Sequence, residues 1–482
     1  MINYRIISRV LGVLLLIIGL LMWTGIPISW YYESKDMESL VWSGLICLLF
    51  GGLLRLPKLG TDRSVKKREG YLIVALGWLV MVIFGMLPYL LSGVIPTIPE
   101  AIFETASGMT TTGASVLTDI EIQPPGILYW RSLTQWIGGM GIIVLTVAIF
   151  PLLGIGGVEL FVAEAPGPTS DKLHPRISET AKRLWLIYVG LTFILGVLLF
   201  LEGMSPYEAV NHALTTMATG GFSTRNSSMA AFSPLIQYTV CFFMFLAGTN
   251  YTIIYFGLKG KLRRVWSSDE FKAYTFIILF FSLCVTIAVH HAVDITWEQA
   301  FRDSIFQIVS LITTTGFVSA DYTSWSVGLT LFFFILLFVG ACAGSTSGGI
   351  KIVRNLVFFK NSLLEFKRIL HPRAVVPLRL NGEIVKGRII THIIIFLLLY
   401  LSLFMMGSLL LAAMGLDFMT AIGAVATCLG NVGPGIGKVG PVDNFAWLPS
   451  NIKLVLSFLM LLGRLELFTI LVLFTPYFWK AN

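Results

Sequence analysis

Four short stretches of the chain pair hydroxyl-bearing residues with glycine at matching places. Aligned on the first glycine, they end Thr-Thr-Thr-Gly113, Met-Ala-Thr-Gly220, Thr-Thr-Thr-Gly316 and Thr-Cys-Leu-Gly430. Glycine admits backbone torsions that side chains forbid, so a strand there can turn its carbonyl oxygens to one side. Four such strands around one axis can replace the hydration shell of a dehydrated cation. The threonine before the glycine can add a hydroxyl oxygen. The stretches contain no ring of carboxylates, which argues against a divalent cation. Asp119, Glu121 and Asp321 lie nearby and read as solvated loop charges.

Each stretch closes a short apolar helix with a start signal. Ser205 with Pro206, Thr296 and Asp417 are ordinary residues for a helix N-cap or first turn. The glycines recur at roughly hundred-residue intervals, the mark of an internal repeat. Each unit reads as span, half-helix, glycine strand, span. Irregular backbone at membrane depth survives only where it lines a wet cavity or is buried in protein. The helix C-termini, with their partial negative charge, would face the axis and favour a cation.

Composition supplies the setting. Of 482 residues, 56% are hydrophobic and only 12% charged, against about 25% charged in an ordinary soluble domain. Mean hydropathy is +0.83. These values exclude a soluble enzyme and a disordered chain, and the continuous apolar runs argue against an outer-membrane barrel. Ten runs, at 10–28, 38–56, 71–93, 126–150, 183–201, 235–257, 273–291, 326–353, 389–415 and 448–478, are candidate spans. The first, behind Arg5 and Arg9, reads as a retained signal anchor. If the spans alternate, most of the 34 lysines and arginines fall on one side, which the positive-inside rule makes cytoplasmic together with both termini. The net charge of +8 then reflects cytoplasmic loops and not nucleic-acid binding.

Two features lie in the inner half of the bilayer. The run at 326–353 holds Gly344, Ser345, Thr346, Ser347, Gly348 and Gly349, a composition that makes a poor helix. It reads either as close packing through small residues or as an unwound segment able to block the path. Arg464 sits within the last run, where a charge must face a partner or a wet cavity. The five cysteines and six histidines show no metal-ligand spacing, and His212 reads as a packed helix residue. No phosphate-binding or dinucleotide motif is present in the sequence, so nucleotide control would come from a partner. The basic linker from Lys351 to Arg388 is the natural docking surface, with anionic lipid as its alternative.

With these residues in hand, the chain resembles the TrkH subfamily of the Trk/Ktr/HKT potassium-transport superfamily. The resemblance rests on the four glycine stretches and on motifs at 136–145, 164–168, 176–182, 342–351 and 463–476. It implies an all-α polytopic membrane fold: four M1–P–M2 repeats, like those of potassium channels, around one pore, preceded by two extra transmembrane helices. The corresponding partition is 1–69 for the two extra helices and 70–181, 182–271, 272–388 and 389–482 for the four repeats, the third repeat carrying the gate loop. Carried over residue by residue, the potassium filter uses the carbonyls of Thr111, Thr112, Ala218, Thr219, Thr314, Thr315, Cys428 and Leu429, with Gly113, Gly220, Gly316 and Gly430 closing the strands and Gly221 and Asn431 following. Glycine at 113, where sodium-passing plant relatives carry serine, implies preference for potassium. The resemblance further implies a gate made of 344–349 and Arg464, a homodimer in the bacterial inner membrane, and a cytosolic TrkA-like ring that binds NAD(H) or ATP/ADP. Potassium would be cargo, with no cofactor in this chain. Symport with protons or sodium is the competing function. It is disfavoured by the few ionisable residues inside the runs.

Overall fold

A computed structural model of the chain describes residues 2–56, 67–139, 141 and 177–480. The motif at 164–168, Arg176 and the run's end at 142–150 lie outside the described residues. Among the described residues the fold is almost wholly helical. Six helices are long and apolar enough to cross a membrane: Tyr4–Tyr31, Met37–Arg55, Arg68–Ser92, Lys182–Leu201, Asp269–Ala292 and Gly387–Ala413. Two more pairs, Pro234–Ala247 with Tyr251–Leu258 and Ser450–Arg464 with Phe468–Phe474, qualify together but bend by 107°.

Three of the ten candidate spans are not continuous helices. The run at 326–353 is helical only over Val327–Leu336 and resumes as the helix Ile352–Leu370. In all three places the local chemistry breaks the helix. Asn250 caps a new helix by accepting the Thr252 N–H at 2.8 Å. The glycine-rich segment leaves Gly344 and Gly349 at φ +70° and +65°. Glu466 and Leu467 take φ 53° and 56° at the last bend.

The four short helices are Ile98–Met109, Pro206–Met217, Trp297–Ile312 and Phe418–Gly430. At 1.5 Å per residue each reaches only about 18–24 Å, short of the roughly 30 Å hydrocarbon core. Three are capped as the sequence predicts. Ser205 Oγ accepts from Glu208 N at 3.2 Å, Thr296 Oγ1 from Gln299 N at 3.3 Å, and Asp417 Oδ2 from Thr420 N at 3.1 Å. The backbone bond from Thr420 holds the Asp417 carboxyl below its ordinary pKa. Thr97 differs, donating instead to Glu100 Oε2 at 2.6 Å.

The first two long helices, Tyr4–Trp23 and Met37–Arg55, pack through facing glycines. A Cβ on Gly12 would lie 2.7 Å from the Gly51 carbonyl, and one on Gly19 would lie 2.8 Å from that of Gly44. Small residues at these spacings let the backbones close up. One apolar core joins these helices to the first and last repeats through Leu14, Trp78, Phe103 and Leu459. A second joins the middle repeats through Tyr188, Val240, Phe306 and Phe333. The last repeat thus lies against the first, and the chain closes on itself. The basic linker also carries a two-stranded hairpin, Arg379–Leu380 with Glu383–Ile384, which the all-helical expectation did not include. Its Asn381-Gly382 turn has both residues at positive φ, the usual two-residue hairpin geometry.

Candidate functional site

The four short helices end in one pattern. The amides of Thr112, Gly220, Thr315 and Val432 donate to the carbonyls of Ser107, Thr215, Ser310 and Thr427, five residues back, at 2.8–3.0 Å. This is the Schellman closure, which requires the residue before the donor to be left-handed. Thr111, Thr219, Thr314 and Asn431 occupy that place at φ 53–55°. Left-handed backbone costs a residue with a Cβ about 1–2 kcal/mol. Three threonines and an asparagine bear this cost at matched positions, and all four are fully buried.

The shared hydrogen bonds fix the register, and they shift the one obtained by aligning first glycines. The glycine two residues after the left-handed residue is Gly113, Gly221, Gly316 or Gly433, at φ 86°, 77°, 80° and 105°. The second stretch moves by one residue and the fourth by three. Cys428, Leu429 and Gly430 are the last residues of the helix Phe418–Gly430. They do not occupy the strand where the sequence alignment put them. Asn431 and Val432 correspond to Thr111 and Thr112. Ala218 is the last αR residue before the left-handed turn, and Gly220 corresponds to Thr112.

These strands meet around one axis. A Cβ on Gly113 would lie 2.3 Å from the Gly220 carbonyl oxygen. One on Gly221 would lie 2.0 Å from that of Thr315, one on Gly316 2.1 Å from that of Val432, and one on Gly433 2.6 Å from that of Thr112. Each strand touches the next, and the fourth returns to the first. No residue with a Cβ fits at any of the four places without displacing backbone.

The glycine-rich segment lies beneath this ring. Thr346 Oγ1 donates to the Met217 carbonyl at 3.2 Å, and the Thr219 hydroxyl lies 3.2 Å from it. Gly348 N donates to Thr314 Oγ1 at 2.7 Å. The Cys342 amide donates to the Gly248 carbonyl at the bend of the second repeat. Arg464 Nη1 donates to the Thr346 carbonyl at 2.8 Å, while Nη2 donates to the carbonyls of Gly138 and, at 3.0 Å, Gly139. Ser345 and Ser347 bond to one another at 2.8 Å, and Ser347 also takes the buried Lys351 ammonium at 3.0 Å. Gly344, Gly348 and Gly349 supply the turns and close approaches between them. All seven gate residues named from the sequence are thus brought together below the strands. Glu466 turns away from Arg464 and pairs with Arg354, whose guanidinium lies 4.1 Å over the Phe396 ring.

A set of buried polar side chains stands behind the strands, of which the sequence reading named only His212. Glu104, His212 and Gln307 each stand seven residues before the left-handed residue of their helix. Glu104 accepts Ser115 Oγ at 3.0 Å and Val116 N at 2.8 Å. His212 Nε2 lies 2.9 Å from Ser223 Oγ, and Gln307 Nε2 donates to Ser319 Oγ at 3.3 Å. His212 is the packed, hydrogen-bonded histidine that was expected. Arg131 pairs with Glu104 at 2.6 Å and donates to the Ser223 carbonyl at 3.1 Å. A polar residue at this spacing in three of four apolar helices was the available signal.

The model of the TrkH family, described as a cation transport protein, matches residues 38–480. The Trk system potassium uptake protein TrkH of Salmonella typhimurium is 39% identical over 484 residues, spanning 99% of this chain and all of that protein. The Escherichia coli protein of the same name is 39% identical over 486 residues, with the same coverage. TrkG of Escherichia coli is 32% identical over 483 residues and 99% of both chains. The crystal structure of the potassium transporter TrkH from Vibrio parahaemolyticus superimposes with a TM-score of 0.88 at 35% identity, covering 99% of this chain and all of that one.

Proposed function

The chain belongs to the TrkH family of cation transport proteins, and from that premise we propose that it takes up potassium through a selective, gated pore along the axis of the four strands. It is a multi-span membrane transporter and not an enzyme. The observation that carries the reading is the closed ring of four left-handed turns and glycines. Such a ring is costly to build and, at membrane depth, has use only where it lines a path. The filter strands are Thr111–Gly113, Thr219–Gly221, Thr314–Gly316 and 431–433.

In this reading the segment 344–349 and Arg464 close the path below the filter, one sterically and one electrostatically. Both termini are cytoplasmic in a bacterial inner membrane, two copies associate, and a cytosolic TrkA-like ring that binds nucleotide acts on the gate. The names of the relatives support the substrate, and the basic cytoplasmic linkers support the orientation. Proton- or sodium-coupled symport is the second reading. Buried charges at Glu104, Lys351 and Lys453 favour it, but each has a partner, Lys453 bonding to Glu100 at 2.7 Å. The test is rubidium uptake by proteoliposomes of the purified chain under a potassium diffusion potential. Uptake blocked by external potassium and indifferent to sodium is the expected result. Equal block by sodium overturns the selective pore.

A further inference from the structure

The second strand departs from the other three at one place. Where they carry Thr112, Thr315 and Val432, it carries Gly220. The backbone at Gly220 is outside the left-handed region, so its torsions do not demand glycine. Space does. A Cβ there would lie 2.3, 2.4 and 2.8 Å from Cδ, Oε1 and Nε2 of Gln135, a fully buried side chain on the helix Pro125–Gly139. The Gln135 amide occupies the volume that a side chain fills in the other strands. It also grips the strand on both sides of Gly221: Nε2 donates to the Gly220 carbonyl at 2.6 Å, and Oε1 accepts from Phe222 N at 3.0 Å. One turn earlier on the same helix, Arg131 takes the Ser223 carbonyl and stacks 3.4 Å over the Phe222 ring.

The third strand shows the alternative. Its Thr315 hydroxyl bonds to Thr313 Oγ1 at 2.7 Å, so the strand is held by its own side chain. The helix behind it can be matched to Pro125–Gly139 by its contacts. Gly139 packs on Ala218, the residue before the left-handed Thr219, and Gly248 packs on Thr313, the residue before Thr314. Four residues before Gly139 stands Gln135, and four before Gly248 stands the buried, apolar Met244. A polar clamp stands behind the strand that lacks a side chain, and a thioether behind the strand that has one.

We propose that Gln135 is a positioning residue for selectivity: a borrowed side chain, supplied by the first repeat, that fixes the Gly220-Gly221 strand at the spacing potassium requires. This rests on the reading of the strands as the filter. The test is a cycle on the full-length chain in proteoliposomes, reading the permeability of sodium relative to rubidium from reversal potentials. Gln135→Leu keeps the volume but loses both hydrogen bonds, and should raise relative sodium permeability by roughly fivefold or more. Gly220→Thr alone should abolish transport by collision with Gln135. The double change Gln135→Met with Gly220→Thr reproduces the Met244–Thr315 arrangement and should return selectivity to near the parent value. A merely structural role for Gln135 predicts no such recovery. Parental selectivity in Gln135→Leu, or a folded double variant that stays unselective, overturns the proposal. Gly113→Ser serves as the control for the filter reading. Altered selectivity there with none in Gln135→Leu sinks this inference alone, whereas no change in either sinks the filter assignment itself.

Discussion

The four left-handed residues show how much a single position decides. In the sequence, glycine marked the turns, because glycine takes positive φ at least cost. Two of the four turns were legible that way, at Gly113 and Gly316. At the second, the adjacent Gly220 answers to Gln135 and not to torsion. At the fourth, Asn431 takes the left-handed place that asparagine tolerates, so the glycine before it remains helical. Glycine is thus a sign of more than one requirement: torsion at Gly113 and Gly316, and room for a neighbouring side chain at Gly220. The corrected register sharpens a prediction. A serine at position 113 brings its Cβ to within 2.3 Å of the Gly220 oxygen, and the second strand must retreat. Gly113→Ser should lower potassium over sodium discrimination about tenfold or more, as befits loss of fit in a coordinating ring. Serine at Gly433, whose Cβ would meet the Thr112 oxygen, should do the same, whereas serine at Gly430, outside the ring, should not. Reversal potentials for the three variants would check the register, and an equal effect at Gly430 would restore the older alignment.

At the scale of elements, the sequence displayed the spans, caps and half-helices, since each depends on local pattern. Composition marked the break at 344–349, but not those at 248–250 and 465–467, where the apolar runs look continuous. In the glycine-rich segment the freed Gly348 amide and Thr346 carbonyl are taken by Thr314 and Arg464 from other elements. The same contacts predict how the proposed gate responds. A like charge about 6 Å from the ion costs roughly 3 kcal/mol at an effective dielectric near 20, on the order of a hundredfold in rate. Arg464→Ala removes that barrier and the bond to the Thr346 carbonyl together. It should raise rubidium uptake without a regulator, as should deletion of residues 345–349. Folded variants with uptake no faster than the parent would disprove the gate. The helix Ile352–Leu370, continuous with the gate segment, refines the docking prediction. Lys360 pairs with Asp269 and Arg368 with Glu365, so those cations already have partners within the chain. Lys367 and Arg373 are exposed. Neutralising this second pair should weaken capture of a cytosolic regulator in a pull-down while leaving insertion intact, and undiminished capture would favour lipid as the partner of this linker.

For the molecule as a whole, the choice between pore and coupled carrier turns on where its buried charges go. The sequence suggested few ionisable groups at membrane depth. The fold buries more than expected: Glu104 with Arg131, Arg354 with Glu466, Lys453 with Glu100, and Lys351 against Ser347. A coupling site needs a group that exchanges its proton or ion with each cycle. These groups instead hold one element to another. Glu104 and Arg131 tie the first and second strands, Arg354 and Glu466 tie the helix Ile352–Leu370 to the last bend, and Lys453 ties the last long helix to the first short one. Breaking any of them would leave a buried charge without its partner, a cost of about 3–5 kcal/mol that a transport cycle would meet on every turn. A charge so committed is a strut, and the proposed pore reading predicts transport that follows the gradient of the permeant ion alone. In a planar bilayer with unequal potassium, the reversal potential should follow the potassium gradient and stay fixed when a proton or sodium gradient of one unit is added. A shift with either gradient would show that one of these pairs opens during transport. Glu104→Gln, which keeps the side chain's shape but not its charge, would then identify whether the first strand's brace is that pair: loss of the shift in this variant assigns coupling to Glu104, and its persistence moves the search to Glu466.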